Sequence, residues 1–128
     1  MIKEDHRIDQ EQKAQVLHAE IIESIQDIKG KHIVKLDLRK LDEAPTDYFI
    51  ICEGDNFTQV KAIAAKIDEK VKKKTGVKPS SVEGTQNGNW VLVDYFNTVV
   101  HVFYRDTRQF YNLEDLWSDA EFTVIEEL

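Results

Sequence analysis

Trp90-Val-Leu-Val-Asp-Tyr-Phe-Asn-Thr-Val-Val-His-Val-Phe-Tyr104 carries apolar, β-branched and aromatic residues on both sides of Asn97-Thr98, the pattern of a β-hairpin. With Asn97 and Thr98 as a two-residue turn, Phe96 faces Val99 and Asp94 falls opposite His101. Asn-Thr holds a turn less firmly than Asn-Gly, which leaves room for a one-residue slip. In this register Trp90, Leu92, Asp94, Phe96, His101 and Phe103 share one face. Val91, Val93, Tyr95, Val100, Val102 and Tyr104 share the other. Asp94 and His101 are then polar groups inside apolar strands, unfavourable unless they are paired. A cross-strand pair that fixes the register explains them better than an acid–base dyad, because no nucleophile accompanies them.

Working outward, the hairpin runs into Arg105–Ala120, where Asn112 is expected to cap a short acidic helix carrying Leu113, Leu116 and Trp117. Trp90, Tyr95, Phe110, Tyr111 and Trp117 make this part of the chain unusually aromatic. Some of them must be core, but aromatics with an acidic rim are also what protein-binding surfaces use.

Upstream, Asp9 to Lys29 reads as a helix, with Asp9 and Gln12 as a capping box and Leu17, Ile21, Ile25 and Ile28 at helical spacing. Gly30 supplies its stop. Ile33 to Leu38 alternates as a half-exposed strand, and Pro45 marks a turn. Tyr48 to Cys52 is a continuous apolar run, as in a strand buried on both faces. A second helix opens at Asn56, capped with Gln59, buries Phe57, Val60, Ile63, Ala64, Ile67 and Val71, and closes at Gly76. Ser80 to Glu83 forms a short strand, and residues 121–128 form an ambiguous tail. Strand, helix, strand in the middle implies parallel pairing, and the hairpin adds antiparallel pairing. The expectation is one α/β domain over residues 1–128 with a mixed sheet of about five strands. Residues 1–8 and 121–128 are expected to be flexible or accessory.

The chain has 128 residues, 41% of them hydrophobic and 32% charged, enough for one domain with a real core. Its net charge of −7 argues against the whole surface lying on nucleic acid. The charge is uneven: Lys61–Lys78 holds seven lysines against Asp68 and Glu69, and Arg105–Leu128 holds two arginines against seven acids. Both stretches suit solvated faces; they also suit a bipolar molecule with an acidic end for a basic partner. Cys52 alone cannot form an internal disulfide, which fits a reducing cytoplasm, or an organelle matrix once any leader is removed. No signal-peptide pattern and no apolar run approaching ~18 residues is present, so no membrane role is expected.

Catalytic and metal readings are weak. His6, His18, His32 and His101 lie on unrelated elements, without metal-ligand spacing. Cys52 sits in an apolar run and lacks an activating base. Gly54-Asp55-Asn56 joins a strand to a helix but lacks a phosphate-loop pattern, and Asp55 would repel an anion. No cofactor or catalytic residue is expected.

Several motifs in order make the chain resemble the ribosomal silencing factor family, also called Iojap-like proteins. They are Thr46-Asp-Tyr-Phe-Ile-Ile-Cys-Glu-Gly54, Gln59-Val-Lys-Ala-Ile-Ala64, Glu83-Gly84, Trp90-Val-Leu-Val-Asp-Tyr95, His101-Val-Phe103 and Phe110-Tyr-Asn-Leu-Glu-Asp-Leu-Trp117. The likeness runs from about residue 12 to 120. It departs at Phe96-Asn97-Thr98, where such proteins often have a Gly-containing turn. The resemblance implies a nucleotidyltransferase-like α/β fold without the chemistry. The strand that should bear a metal-binding carboxylate pair has only Asp94, and one carboxylate cannot build a two-metal clamp. The alternative is a metal-dependent nucleotidyltransferase-like enzyme. The resemblance also implies binding to ribosomal protein fourteen of the large subunit, exclusion of the small subunit and damping of translation when nutrients are scarce. A minor contact with ribosomal RNA is compatible with the lysine-rich helix, and members often appear as homodimers. The expected partner-binding residues are Trp90, Asp94, Tyr95 and His101, with Asp106, Glu114, Asp115 and Asp119 steering.

Overall fold

A computed structural model describes the backbone of residues 2–127 and the side chains of residues 9–127. In chain order it contains α1 (Ile2–Asp27), β1 (Lys31–Asp37), β2 (Tyr48–Gly54), α2 (Phe57–Thr75), β3 (Ser81–Glu83), β4 (Trp90–Asp94), β5 (Thr98–Tyr104), α3 (Arg105–Tyr111), α4 (Leu113–Leu116) and β6 (Glu121–Val124). The strands form one sheet in the order β3-β4-β5-β2-β1-β6. Among the described residues only β2 and β5 pair in parallel; the other neighbours are antiparallel. The mixed α/β sheet is as expected, with six strands rather than about five. The sixth comes from the tail, where Phe122 and Val124 pair with Leu36 and Val34.

Two helices cover one face of this sheet. Asn56 caps α2, its side chain accepting from Gln59 N–H at 2.8 Å, while Gln59 Oε1 accepts from Asp55 N–H at 2.7 Å. Gly76 ends the helix at φ 77, a left-handed geometry that glycine takes without penalty. The start of α1 differs from expectation. Asp9 does not cap it but lies inside, paired with Lys13 at 3.1 Å, because residues 2–8 hold no glycine or proline to stop the helix. Leu17, Ile21 and Ile25 of α1 and Val60, Ile63, Ile67 and Val71 of α2 bury themselves on Ile50, Cys52, Val91, Val93, Val100 and Val102. Each such side chain contributes roughly 1.5–3 kcal/mol of transfer free energy. A smaller core lies on the opposite face: Leu36, Leu38, Phe49, Ile51, Phe103 and Leu113, with Trp90 and Trp117 packed against it.

The hairpin keeps the expected faces but not the expected turn. Tyr95 N–H donates to Thr98 O at 2.8 Å, so Phe96 and Asn97 make the turn, and Asp94 lies opposite Val99 while His101 lies opposite Leu92. Displacing the turn by one residue moves every cross-strand partner by two, which preserves the side-chain parity. Asp94 and His101 therefore share a face without being paired. Side chains outside the hairpin's own pattern select this register. Thr98 is fully buried, with its Oγ1 2.8 Å from His18 Nε2 on α1, which draws it out of the turn and into β5. Asp94 Oδ1 accepts from Phe96 N–H at 2.7 Å, and Thr46 Oγ1 donates to Phe96 O at 2.9 Å.

Candidate partner-binding surface

Trp90 reaches its place through a glycine-dependent loop. Gly84 sits at φ 87, and a Cβ there would lie 2.1 Å from Trp90 O, so backbone has to pass where any side chain would stand. The loop closes with Tyr104 N–H donating to Asn89 O at 2.8 Å. The indole then lies on Phe103 at 4.8 Å between centroids, and against Tyr111 at 4.9 Å. Its Nε1–H donates to His101 Nδ1 at 3.1 Å.

That bond defines the role of His101. A nitrogen that accepts carries no proton, so the ring is neutral with its hydrogen on Nε2. Burial pushes its pKa down to about 4, which keeps it an acceptor at neutral pH. At 5% exposure His101 offers no surface to a partner; it orients Trp90 from below. Tyr95 also leaves the candidate surface. It points to the opposite face, 6% exposed, in the core under α1 and α2, and its hydroxyl pKa is raised by burial and by Asp68. Trp90 and Asp94 remain, both half-buried on the same face.

The rest of the surface is carried by α3 and α4, and α3 is not legible in the sequence as a separate helix. Asn112 is not an N-cap formed by a side-chain bond; it ends α3 in a left-handed conformation (φ 46), with its N–H donating to Arg108 O at 2.9 Å. Arg108 is buried and anchors both helices to the sheet. Its Nη1 donates to His32 O at 2.6 Å and to Glu53 Oε1 at 3.1 Å, and its Nε to Glu114 Oε2 at 3.2 Å. Glu114 is thus held internally by a guanidinium rather than free to steer a partner. Asp106 is exposed and 3.6 Å from Arg105 Nε, while Asp115 and Asp119 are exposed with no ion pair among the described residues. Anchoring Arg108 inward turns other side chains out: Phe110 is 81% exposed, Leu116 73% and Tyr111 54%. Asn89, Trp90, Asp106, Thr107, Phe110 and Tyr111 line a cleft of 320 Å³ between β4 and α3. Leu116 escapes a sequence reading because its apolar character suggests core.

An exposed aromatic cleft with an acidic fringe can bind an apolar group carried by a basic surface. Asp47 lines a second cleft together with Asp94 and Arg39. Among the described residues no group of three His, Cys, Asp or Glu side chains is close enough to hold a metal ion. The buried Cys52 thiol is pushed up to about 12 by desolvation.

Residues 10–128 match the family model described as "Ribosomal silencing factor during starvation". A ribosomal silencing factor of Halalkalibacterium halodurans is 37% identical over 105 residues, covering 82% of this chain and 88% of its own. One from Bacillus subtilis is 42% identical over 94 residues, covering 73% and 78%. The crystal structure of a Chromobacterium violaceum protein superposes with a TM-score of 0.76 at 40% identity, covering 81% of this chain and 85% of that one. Motifs, mixed-sheet fold and sequence likeness along nearly the whole chain agree: it belongs to the ribosomal silencing factor family.

Proposed function

We propose that this protein binds the large ribosomal subunit through ribosomal protein fourteen, blocks its association with the small subunit, and so represses translation in the cytoplasm under nutrient limitation. The observation that carries this reading is the uncovered trio Phe110, Tyr111 and Leu116 beside the oriented Trp90, in a family named for silencing ribosomes. Exposed aromatics of this size stay in solution at a disadvantage unless a partner covers them. The fringe of Asp106, Asp115 and Asp119 favours a basic partner and speeds encounter. The exposed Lys72, Lys73 and Lys74 on α2 supply a minor contact with ribosomal RNA. Blocking needs no chemistry: a folded domain at a subunit-bridge site excludes the other subunit by volume. We therefore read the protein as non-catalytic; magnesium- or manganese-dependent nucleotide turnover that vanishes in Asp94→Asn would contradict this.

The test is light scattering of purified small and large subunits mixed with the protein. The expected result is lower scattering with the parent and near-normal association with Phe110→Ala, which should bind about thirtyfold more weakly. Unimpaired association in the presence of saturating parent protein would refute the proposal.

A further inference from the structure

At the far end of the hairpin from Trp90, Phe96 is held in a conformation that its residue type disfavours. Its φ is 74, a region that suits glycine and is strained for a bulky side chain. Asn97 N–H reaches back to Tyr95 O at 2.9 Å, closing a γ-turn of positive φ, the rare and strained form. Both polar groups of Phe96 are pinned: its N–H donates to Asp94 Oδ1 at 2.7 Å, and its carbonyl accepts from Thr46 Oγ1 at 2.9 Å. The side chain fixed by this arrangement is not used internally. It is 86% exposed, the most exposed large hydrophobic side chain among the described residues.

Its surroundings indicate what it would meet. Phe96 stands between two clefts, of 410 and 560 Å³, that share Arg39, Asp47 and Asn97 in their walls. The cations there are already neutralised: Arg39 by Asp37 at 2.8 Å and Glu11 at 3.6 Å, Lys13 by Asp9 at 3.1 Å. Asp42, Glu43 and Asp47 are exposed with no ion pair among the described residues. The knob is therefore apolar with a negative fringe, complementary to an apolar recess in a basic surface. The half-buried Leu92, Asp94 and Val99 join it to Trp90 along the same sheet face. At about 3.3 Å per residue, Trp90 to Phe96 spans about 20 Å, within the reach of one ordinary protein interface.

We propose that Phe96 is a second anchor for the same basic ribosomal protein surface that receives the Trp90 end. This rests on the ribosome-binding reading above. Strain with an exposed aromatic is retained because the turn presents the ring, not because the fold needs it.

The experiment measures thermal unfolding and affinity for isolated large subunits, using full-length Phe96→Gly, Phe96→Asn, Phe96→Tyr and Trp90→Ala. Glycine and asparagine tolerate positive φ, so those two variants should melt no lower than the parent yet bind about tenfold or more weakly. Phe96→Tyr keeps the ring and should bind within about threefold of the parent. Glycine and asparagine variants that bind like the parent would overturn the anchor. So would a lowered melting temperature in both, since the turn would then depend on the phenyl group. Weak binding by Trp90→Ala with parental binding by Phe96→Gly would reject this inference alone. Parental binding by Trp90→Ala as well would reject the ribosome-facing surface itself.

Discussion

The two faces of the sheet are built from the same strands but obey different rules. Under α1 and α2, Val91, Val93, Val100 and Val102 are fully buried among aliphatic neighbours. On the opposite face, Trp90 and Val99 alternate with them at half burial, over an aromatic set of His101, Phe49 and Phe103 that is itself buried, closed in part by Trp117. The first face is sealed by two helices over an aliphatic core, where a missing methylene is felt. The other keeps polar atoms under aromatics, and its outermost rings are aimed outward. Stability and recognition are thus separated by strand parity: Tyr95 belongs to the first, Trp90 to the second.

The separation breaks if changes on the two faces have the same effects. The largest stability loss should come from the closed face: Ile67→Ala, removing a fully buried side chain, should destabilise by about 2–5 kcal/mol in urea unfolding. Arg108→Ala should follow closely, at about 3 kcal/mol, because it leaves Glu53 and Glu114 without their shared buried cation. Arg108→Lys should not rescue it, since an ammonium cannot reproduce the fork that reaches His32 O and both carboxylates.

The pH dependence sharpens the comparison. His101 and His18 both have pKa values pushed down by burial to about 4, with Lys35 adding to the effect at His18. The unfolded chain therefore binds more protons than the folded one between about pH 6.5 and 4. Stability is fully present above that window and falls as pH drops through it, by on the order of 1 kcal/mol per pH unit for each histidine. His101→Phe should flatten part of that slope in denaturation series at pH 7, 6 and 5, and should also shift the Trp90 indole N–H resonance. An unchanged slope would mean that His101 is not buried neutral.

Much of the closed face is legible in the sequence. The 3.6-residue periodicity of α2 places Val60, Ile63, Ala64, Ile67 and Val71 inside as expected, and the apolar run from Tyr48 to Cys52 is buried throughout. Phe57, expected in the same stripe, instead stands 47% exposed in the first turn, against the Tyr104 ring. The hairpin register is not legible there, because it is chosen by contacts between residues far apart along the chain: His18 with Thr98, and Thr46 with Phe96. Local turn preference cannot register such contacts. The roles of His101 and Tyr95 are hidden for a related reason. Alternation tells which residues share a face but not which face a helix will cover. Arg108 gives no signal, since a buried guanidinium looks like any surface arginine until three acceptors converge on it.

The smallest expected effect lies at the rim. Asp115→Asn and Asp119→Asn should leave stability within about 0.5 kcal/mol of the parent. Each should slow association with large subunits severalfold at low salt, and less at high salt, in stopped-flow measurements.

The most direct test of recognition by the open face is amide hydrogen exchange of the protein alone and bound to purified large subunits. The expected result is new protection in β4, the Phe96 turn, α3 and α4, with α1 after Ala14 and α2 before Lys72 largely unchanged. Protection confined to α1 and α2, with Trp90–Leu116 exchanging as in the free protein, would contradict it.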